Sequence, residues 1–285
     1  SLGSVVINRS GGSFSGTPGG STHYSVNYTG ASKSTGTELA LSGGTLRRVT
    51  VNMNSGANLT LDASRTVSDT LVLTSGVVNT GTFTLTLNGA VLTGGSSSSY
   101  ISGKLQRRFT SGGNLLFPIG TASGYLPVTI NYASGTGTVT ASTTNGDITG
   151  TTPNQINLSN SVNRFWSFTN SGFSAATYTA TFNWLTADRD GGYDETNAGI
   201  GNYVSSAWSY LTPTTSGAAS LTFSGTNLSG DFQIAKKCTP TAISIQPVGG
   251  SICPGQSVPL SVTATGDDLT YQWYKDGSDR KSTRL

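Results

Sequence analysis

The residues able to do chemistry are few, and their spacing narrows the choice further. The single histidine, His23, lies in the polar stretch Gly20-Ser21-Thr22-His23-Tyr24, so any Ser-His-Asp or Cys-His arrangement has to use it. No GxSxG elbow, HExxH pair or phosphate-binding loop accompanies it. His23 therefore reads as an exposed loop residue, and the sequence assigns no catalytic residue. Two carboxylates at a suitable separation would suffice for glycoside hydrolysis, but the chain has only two glutamates, Glu38 and Glu195. The one dense acidic run is Asp188-Arg189-Asp190-Gly191-Gly192-Tyr193-Asp194-Glu195. Hard cations such as calcium take several oxygens from a flexible, glycine-containing loop. Asp188, Asp190, Asp194 and Glu195 offer four carboxylates around a Gly-Gly bend, which makes them the candidate ligands of a structural calcium ion, the only cofactor the sequence suggests. Against this stand the incomplete DxDxDG spacing and Arg189 in the middle. The competing reading is a solvated connecting loop, where Asp and Gly simply form turns.

Aromatic and small polar residues supply the remaining candidates. Trp166, Trp184 and Trp208 could form a sugar-stacking platform, with Trp208 the candidate ligand-binding residue. Each also sits in an alternating strand among apolar residues, where burial is the default. Thr82, Thr84 and Thr86 share one strand face; this is either a flat ice- or glycan-binding surface or an ordinary solvated face rich in β-branched residues. Cys238 and Cys253 lie outside any CxxC pattern, so a local disulfide formed in an oxidising compartment is expected rather than a zinc site. A partner for Cys253 beyond the end of the chain is the alternative.

The composition sets limits on all of this. Of 285 residues, 34% are hydrophobic and 10% charged, and 38 are glycine. Soluble domains average about 45–50% apolar and about 25% charged, so both figures are low. Scarce charge together with 10 Phe, 11 Tyr and 4 Trp excludes a charged disordered chain. No apolar run approaches the ~20 residues of a membrane-spanning helix. The net charge of +3 is not clustered beyond the pairs Arg47-Arg48, Arg107-Arg108 and Lys236-Lys237 and the C-terminal tail, which argues against nucleic acid as a partner.

The elements that must carry these residues are strands. Period-two alternation recurs in short runs broken by Gly, Ser and Asn, as in Thr82-Phe83-Thr84-Leu85-Thr86-Leu87-Asn88, and no stretch keeps a 3.6-residue apolar period. The fold class is all-β. Residues 1–104 read as a β-solenoid-like region, with 1–36 as a cap or first coils. Its repeats are Asn58-Leu59-Thr60-Leu61-Asp62 against Thr84–Asn88, shifted by 26, and the turn Ser55-Gly56 against Ser75-Gly76, shifted by 20. An ordinary meander of similar composition is the alternative. Residues 105–237 read as a β-sandwich, with Tyr178, Ala180, Phe182 and Trp184 on one strand face. From Cys238 on, Ser257–Gly266 and Leu269–Gly277 resemble strands B and C of an immunoglobulin-like domain. Trp273 would be its core tryptophan, and Val262 stands where the strand-B cysteine would fall. Such a domain needs ~100 residues, so the stretch 238–278 is expected to be truncated. The tail Asp279-Arg280-Lys281-Ser282-Thr283-Arg284-Leu285 reads as the translation of GAT CGG AAG AGC ACA CGT CTG, which resembles a sequencing-adapter string. It is expected to be non-native.

Three stretches together resemble the large secreted surface proteins of gliding-type bacteria that use the type IX secretion route. The first holds the Thr/Leu-rich coils, with Val77-Val78-Asn79-Thr80-Gly81 and Leu85-Thr86-Leu87-Asn88. The second holds Phe117-Pro118-Ile119-Gly120, Tyr125-Leu126-Pro127-Val128-Thr129, Arg164-Phe165-Trp166 and Ser229-Gly230-Asp231-Phe232. The third surrounds Tyr271-Gln272-Trp273. The resemblance implies a mosaic of extracellular β-modules, located outside the cell or on its surface. Adhesins, stalks and hydrolases all use such mosaics. The expected role is non-catalytic, structural or adhesive, with surface glycans or other cell-surface proteins as partners. The alternatives are a carbohydrate-binding module, or the stalk of a hydrolase whose catalytic domain lies elsewhere.

Overall fold

The computed structural model describes residues 5–280 apart from 15, 17, 19–22, 152, 154, 173–176, 268 and 276–277. The chain divides into two compact units, Ser1–Lys236 and Lys237–Leu285. Within the first, chain order begins with ten strands: β1 (Val5–Arg9), β2 (Tyr24–Gly30), β3 (Lys33–Ser34), β4 (Leu46–Met53), β5 (Asn58–Thr60), β6 (Arg65–Val67), β7 (Thr70–Ser75), β8 (Val77–Leu87), β9 (Val91–Gly94) and β10 (Ile101–Phe109). All pairings among these ten are parallel, and the ladders run β1-β2-β4-β7-β9 on one face and β3-β5-β8-β10 on another, with β6 also on β8. This is β-solenoid-like stacking. Each coil turns one row of side chains inward onto the next coil. One such row is Ile7–Val26–Val49–Leu71–Leu92 and another is Leu59–Val78–Ile101. A single coil cannot bury its apolar face alone; the stack provides the core.

The spacing within the first row is 19, 23, 22 and 21 residues, so the repeat is real but loose. The expected match of residues 58–62 with 84–88 is not a stacking register. Leu59 stacks on Val78, whereas Leu85 stacks on Arg65 and Leu105. The reason is that β8 pairs with β5 through its first residues and with β6 through its last ones, so the two Leu-Thr runs occupy different parts of the coil. The Ser-Gly match does correspond to equivalent corners, where Gly56 and Gly76 both have positive φ. A Cβ on Gly76 would lie 2.9 Å from Cβ of Met53, so this corner requires glycine twice over.

Twelve further strands complete the unit: β11 (Gly113–Phe117), β12 (Ile119–Thr121), β13 (Gly124–Tyr125), β14 (Val128–Tyr132), β15 (Gly137–Asn145), β16 (Ile156–Ser171), β17 (Tyr178–Asn183), β18 (Ala198–Val204), β19 (Ala207–Leu211), β20 (Pro213–Ser216), β21 (Ser220–Gly225) and β22 (Gly230–Lys237). Strand β10 is the hinge of the topology. One edge pairs in parallel with β8 and the other antiparallel with β15, so the solenoid ladder continues as β10-β15-β16-β22-β18-β19. The boundary expected between residues 104 and 105 falls inside this strand. A separate five-stranded antiparallel sheet, β11-β14-β17-β21-β20, lies against the large one. The contact is aromatic: Trp166 and Phe168 of β16 stack on Phe182 of β17 at 4.8 and 5.5 Å, and Phe223 and Phe232 pack edge-on around it. Trp184 is buried beside this cluster and meets Tyr193 edge-on.

The second unit contains β23 (Ala242–Ile245), β24 (Thr263–Thr265), β25 (Trp273–Lys275) and β26 (Ser278–Arg280), in two antiparallel pairs. These strands are shorter than the runs the sequence suggests. Among its residues whose side chains are described, none is buried; Val262 and Trp273 are half-buried and line a common apolar depression with Ile243 and Leu269. The expected Cys238–Cys253 disulfide is not formed. Cys238 follows directly on β22, while Cys253 is exposed in a turn closed by the Gln256 amide on its carbonyl (3.0 Å). The proposed non-native tail is described only as far as Arg280; residues 281–285 lie outside the described residues.

Candidate functional site

Between β17 and β18 the chain carries the acidic run, folded around two single 3-10 turns, Thr186–Asp188 and Glu195–Asn197. The fold separates its carboxylates rather than converging them. Asp188 receives a two-pronged bond from the fully buried Arg164, Nε to Oδ2 and Nη2 to Oδ1, both 3.0 Å, and also accepts from the Leu185 amide. Asp190 accepts from the Ser161 amide (2.8 Å) and the Asn163 side chain (2.6 Å). Asp194 caps the second turn by accepting from the Thr196 amide and hydroxyl, which holds its carboxyl below the usual range. Glu195 faces Arg189 at 3.8 Å. Asp188, Asp190 and Asp194 thus each accept hydrogen bonds from protein donors. Among the described residues, no group of three or more His, Cys, Asp or Glu is placed to hold a metal.

Asp147, which the sequence reading passed over, belongs to the same region. Its Oδ1 accepts from the Ser161 hydroxyl (2.7 Å) and from the side-chain amide of the fully buried Gln233 (2.8 Å). Burial pushes the Asp147 carboxyl upward, and the nearby Asp190 charge adds to this, against those hydrogen bonds. Gln233 also donates to the Val162 carbonyl and accepts from the Ile148 amide. The network ties Asp147 and Ile148 to β16 and β22.

The other candidates disperse. Glu38 is fully buried at the start of the solenoid, where it accepts from the Tyr28 hydroxyl (2.6 Å) and pairs with Arg9 (2.6 Å). Burial, with Glu38 beside it, holds the Tyr28 hydroxyl far above its usual range. Glu38 and Glu195 therefore each answer to a local arginine. His23 is exposed just ahead of β2, while Gly20, Ser21 and Thr22 lie outside the described residues. Thr82 is exposed, and Thr84 and Thr86 are half-buried on the face opposite buried Leu85 and Leu87.

The three tryptophans part company. Trp166 and Trp184 are core residues. Trp208 is half-buried on β19, where its indole lies over Gly201 of β18; a Cβ there would sit 2.7 Å from the ring. Its Nε1 donates to the Thr151 hydroxyl (2.9 Å), and the Tyr203 ring is 5.2 Å away at 42°. Tyr210, two residues along β19, covers Gly199 in the same manner. Tyr203, Trp208 and Tyr210 form an aromatic strip at one edge of the large sheet. The alternation of Gly199 and Gly201 opposite two aromatics hints at it in the sequence, yet only the strand register brings the rings onto the glycines.

Among the described residues, no helix is long and apolar enough to cross a membrane. Comparison with protein-family models, with curated proteins and with solved structures returned no match.

Proposed function

We propose that this chain is a non-catalytic, structural or adhesive segment of a larger bacterial surface or secreted protein. In this reading a solenoid passes into a β-sandwich and then into an immunoglobulin-like module. The observation that carries it is the continuity of the large sheet through β10: coils and antiparallel strands share one ladder, an arrangement suited to a stiff spacer. The commitment of Glu38, Asp188, Asp190 and Asp194 to structural hydrogen bonds agrees with a scaffold rather than an active site. The aromatic rings meeting between the two sheets support the sandwich, and the apolar depression shared by Val262 and Trp273 supports the immunoglobulin-like module. An extracellular location and the type IX route rest on the sequence resemblance.

The strip Tyr203–Trp208–Tyr210 favours one second reading, a carbohydrate-binding module that stacks sugars on aromatic rings. A glycan array probed with the full chain separates the two. The structural or adhesive reading expects no saturable signal that depends on Trp208. Robust binding to a glycan that disappears in Trp208→Ala would replace it with the carbohydrate-binding one.

A further inference from the structure

Four arginines are buried in the first unit: Arg9, Arg65, Arg107 and Arg164. Three have a carboxylate, Arg9 with Glu38, Arg65 with Asp62 and Arg164 with Asp188. Arg107 has none among the described residues. Its Nη1 donates to the Leu116 carbonyl (2.7 Å) and its Nη2 to that of Ala90 (3.1 Å), while Nε has no hydrogen-bond partner among the described residues.

The position makes the missing counter-charge more telling. In the ladder, Arg107 lies between Leu87 and Val139, with Val67 beyond Leu87, so its nearest neighbours in this inward row are aliphatic. Packing there asks for Val or Leu. A guanidinium removed from water without an anion is disfavoured, and its own burial pushes Arg107 down to about 10. The side chain lines a cavity of about 160 Å³ at the Thr110–Gly112 turn, where the chain leaves β10 for β11. Arg108, Ser111 and Asn114 also line it, and no Asp or Glu does. The volume lies below the ~300–1,000 Å³ of pockets for drug-sized ligands, which suits a single small charged group.

We propose that this cavity binds one oxyanion group, a carboxylate, phosphate or sulfate, with the Arg107 guanidinium as its counter-charge and Arg108, Ser111 and Asn114 completing its walls. The planar fork of arginine matches such a group, and the anion would supply the partner that the protein withholds. The group arrives either as a free inorganic ion or as the acid of a sugar.

Titration of the full chain with sodium phosphate and, separately, sodium glucuronate, each against sodium chloride at matched ionic strength, distinguishes these sources by amide chemical shifts. Saturable shifts concentrated at residues 107–115 are expected with one or both. Arg107→Gln should weaken that binding about tenfold to a hundredfold, and Arg107→Lys, which keeps the charge without the fork, should fall between. No saturable shift at these residues with either anion, or equal affinity in Arg107→Gln, overturns the proposal. Should the glutamine variant not fold, the wild-type shift map decides alone.

Discussion

If β10 makes the solenoid and the antiparallel region one cooperative body, damage to the coils must be felt by the tryptophans, all of which lie beyond them. Leu85 provides the perturbation. It is 2% exposed and stacks directly between Arg65 and Leu105, the latter on β10 itself. Truncating such a leucine to alanine costs about 2–5 kcal/mol, because the lost transfer energy is joined by a cavity that the ladder cannot close. For a unit of this size each kcal/mol lowers Tm by about 2–4 °C, so a mid-range cost of about 3 kcal/mol predicts a fall of about 6–12 °C. Trp166, Trp184 and Trp208 report only the antiparallel region, and a Trp273→Phe background silences the second unit. Far-UV circular dichroism follows all strands. In Leu85→Ala both signals should move together by the same amount. A fluorescence midpoint within about 1 °C of the parent, beside an earlier dichroism transition, would refute the shared-ladder argument and leave two independently melting halves.

Other outcomes follow from the polar contacts. Arg164→Gln strips Asp188 of its two-pronged partner inside the core and should cost about 3–5 kcal/mol in denaturant unfolding; a loss under about 1 kcal/mol would contradict it. Asp147 has a raised folded-state pKa, so the native state holds its proton where the unfolded chain has already lost it. Its contribution is therefore greatest at acid pH and is lost as pH rises through the folded value. Asp147→Asn keeps the Oδ1 acceptor without this titration, so the Tm of the parent should drop relative to the variant as pH climbs from about 4 toward 7; parallel curves would disprove this. Millimolar calcium should leave Tm at its value in ionic-strength-matched sodium chloride, since Asp188, Asp190 and Asp194 are bonded to protein donors. A rise that Asp190→Asn abolishes would restore the metal site.

Much of the fold is legible in short runs. Alternation places Leu85 and Leu87 inward, and it places Tyr178, Ala180, Phe182 and Trp184 on one buried face. Those assignments depend only on the period-two geometry of a strand, which is local. The register is not local. Coil spacings that drift between 19 and 23 residues leave several stackings compatible with the same Leu-Thr pattern, so the shift of 26 looks as good on paper as the pairing that forms. The candidate site suffers for the same reason. That Arg164 and Ser161, more than twenty residues away, donate to Asp188 and Asp190 is not visible in the acidic run itself.

The sequence by itself determines that this protein is built of strands, with inward and outward faces and glycine corners, because side-chain alternation and backbone dihedrals are properties of neighbouring residues. Only the tertiary structure decides that β10 belongs to both halves, that Trp208 lies over Gly201 while Trp166 enters the core, and that Arg107, unlike the other buried arginines, has no carboxylate partner among the described residues. Each of these depends on which strands lie side by side, a choice made by the summed burial of whole rows rather than by any one segment.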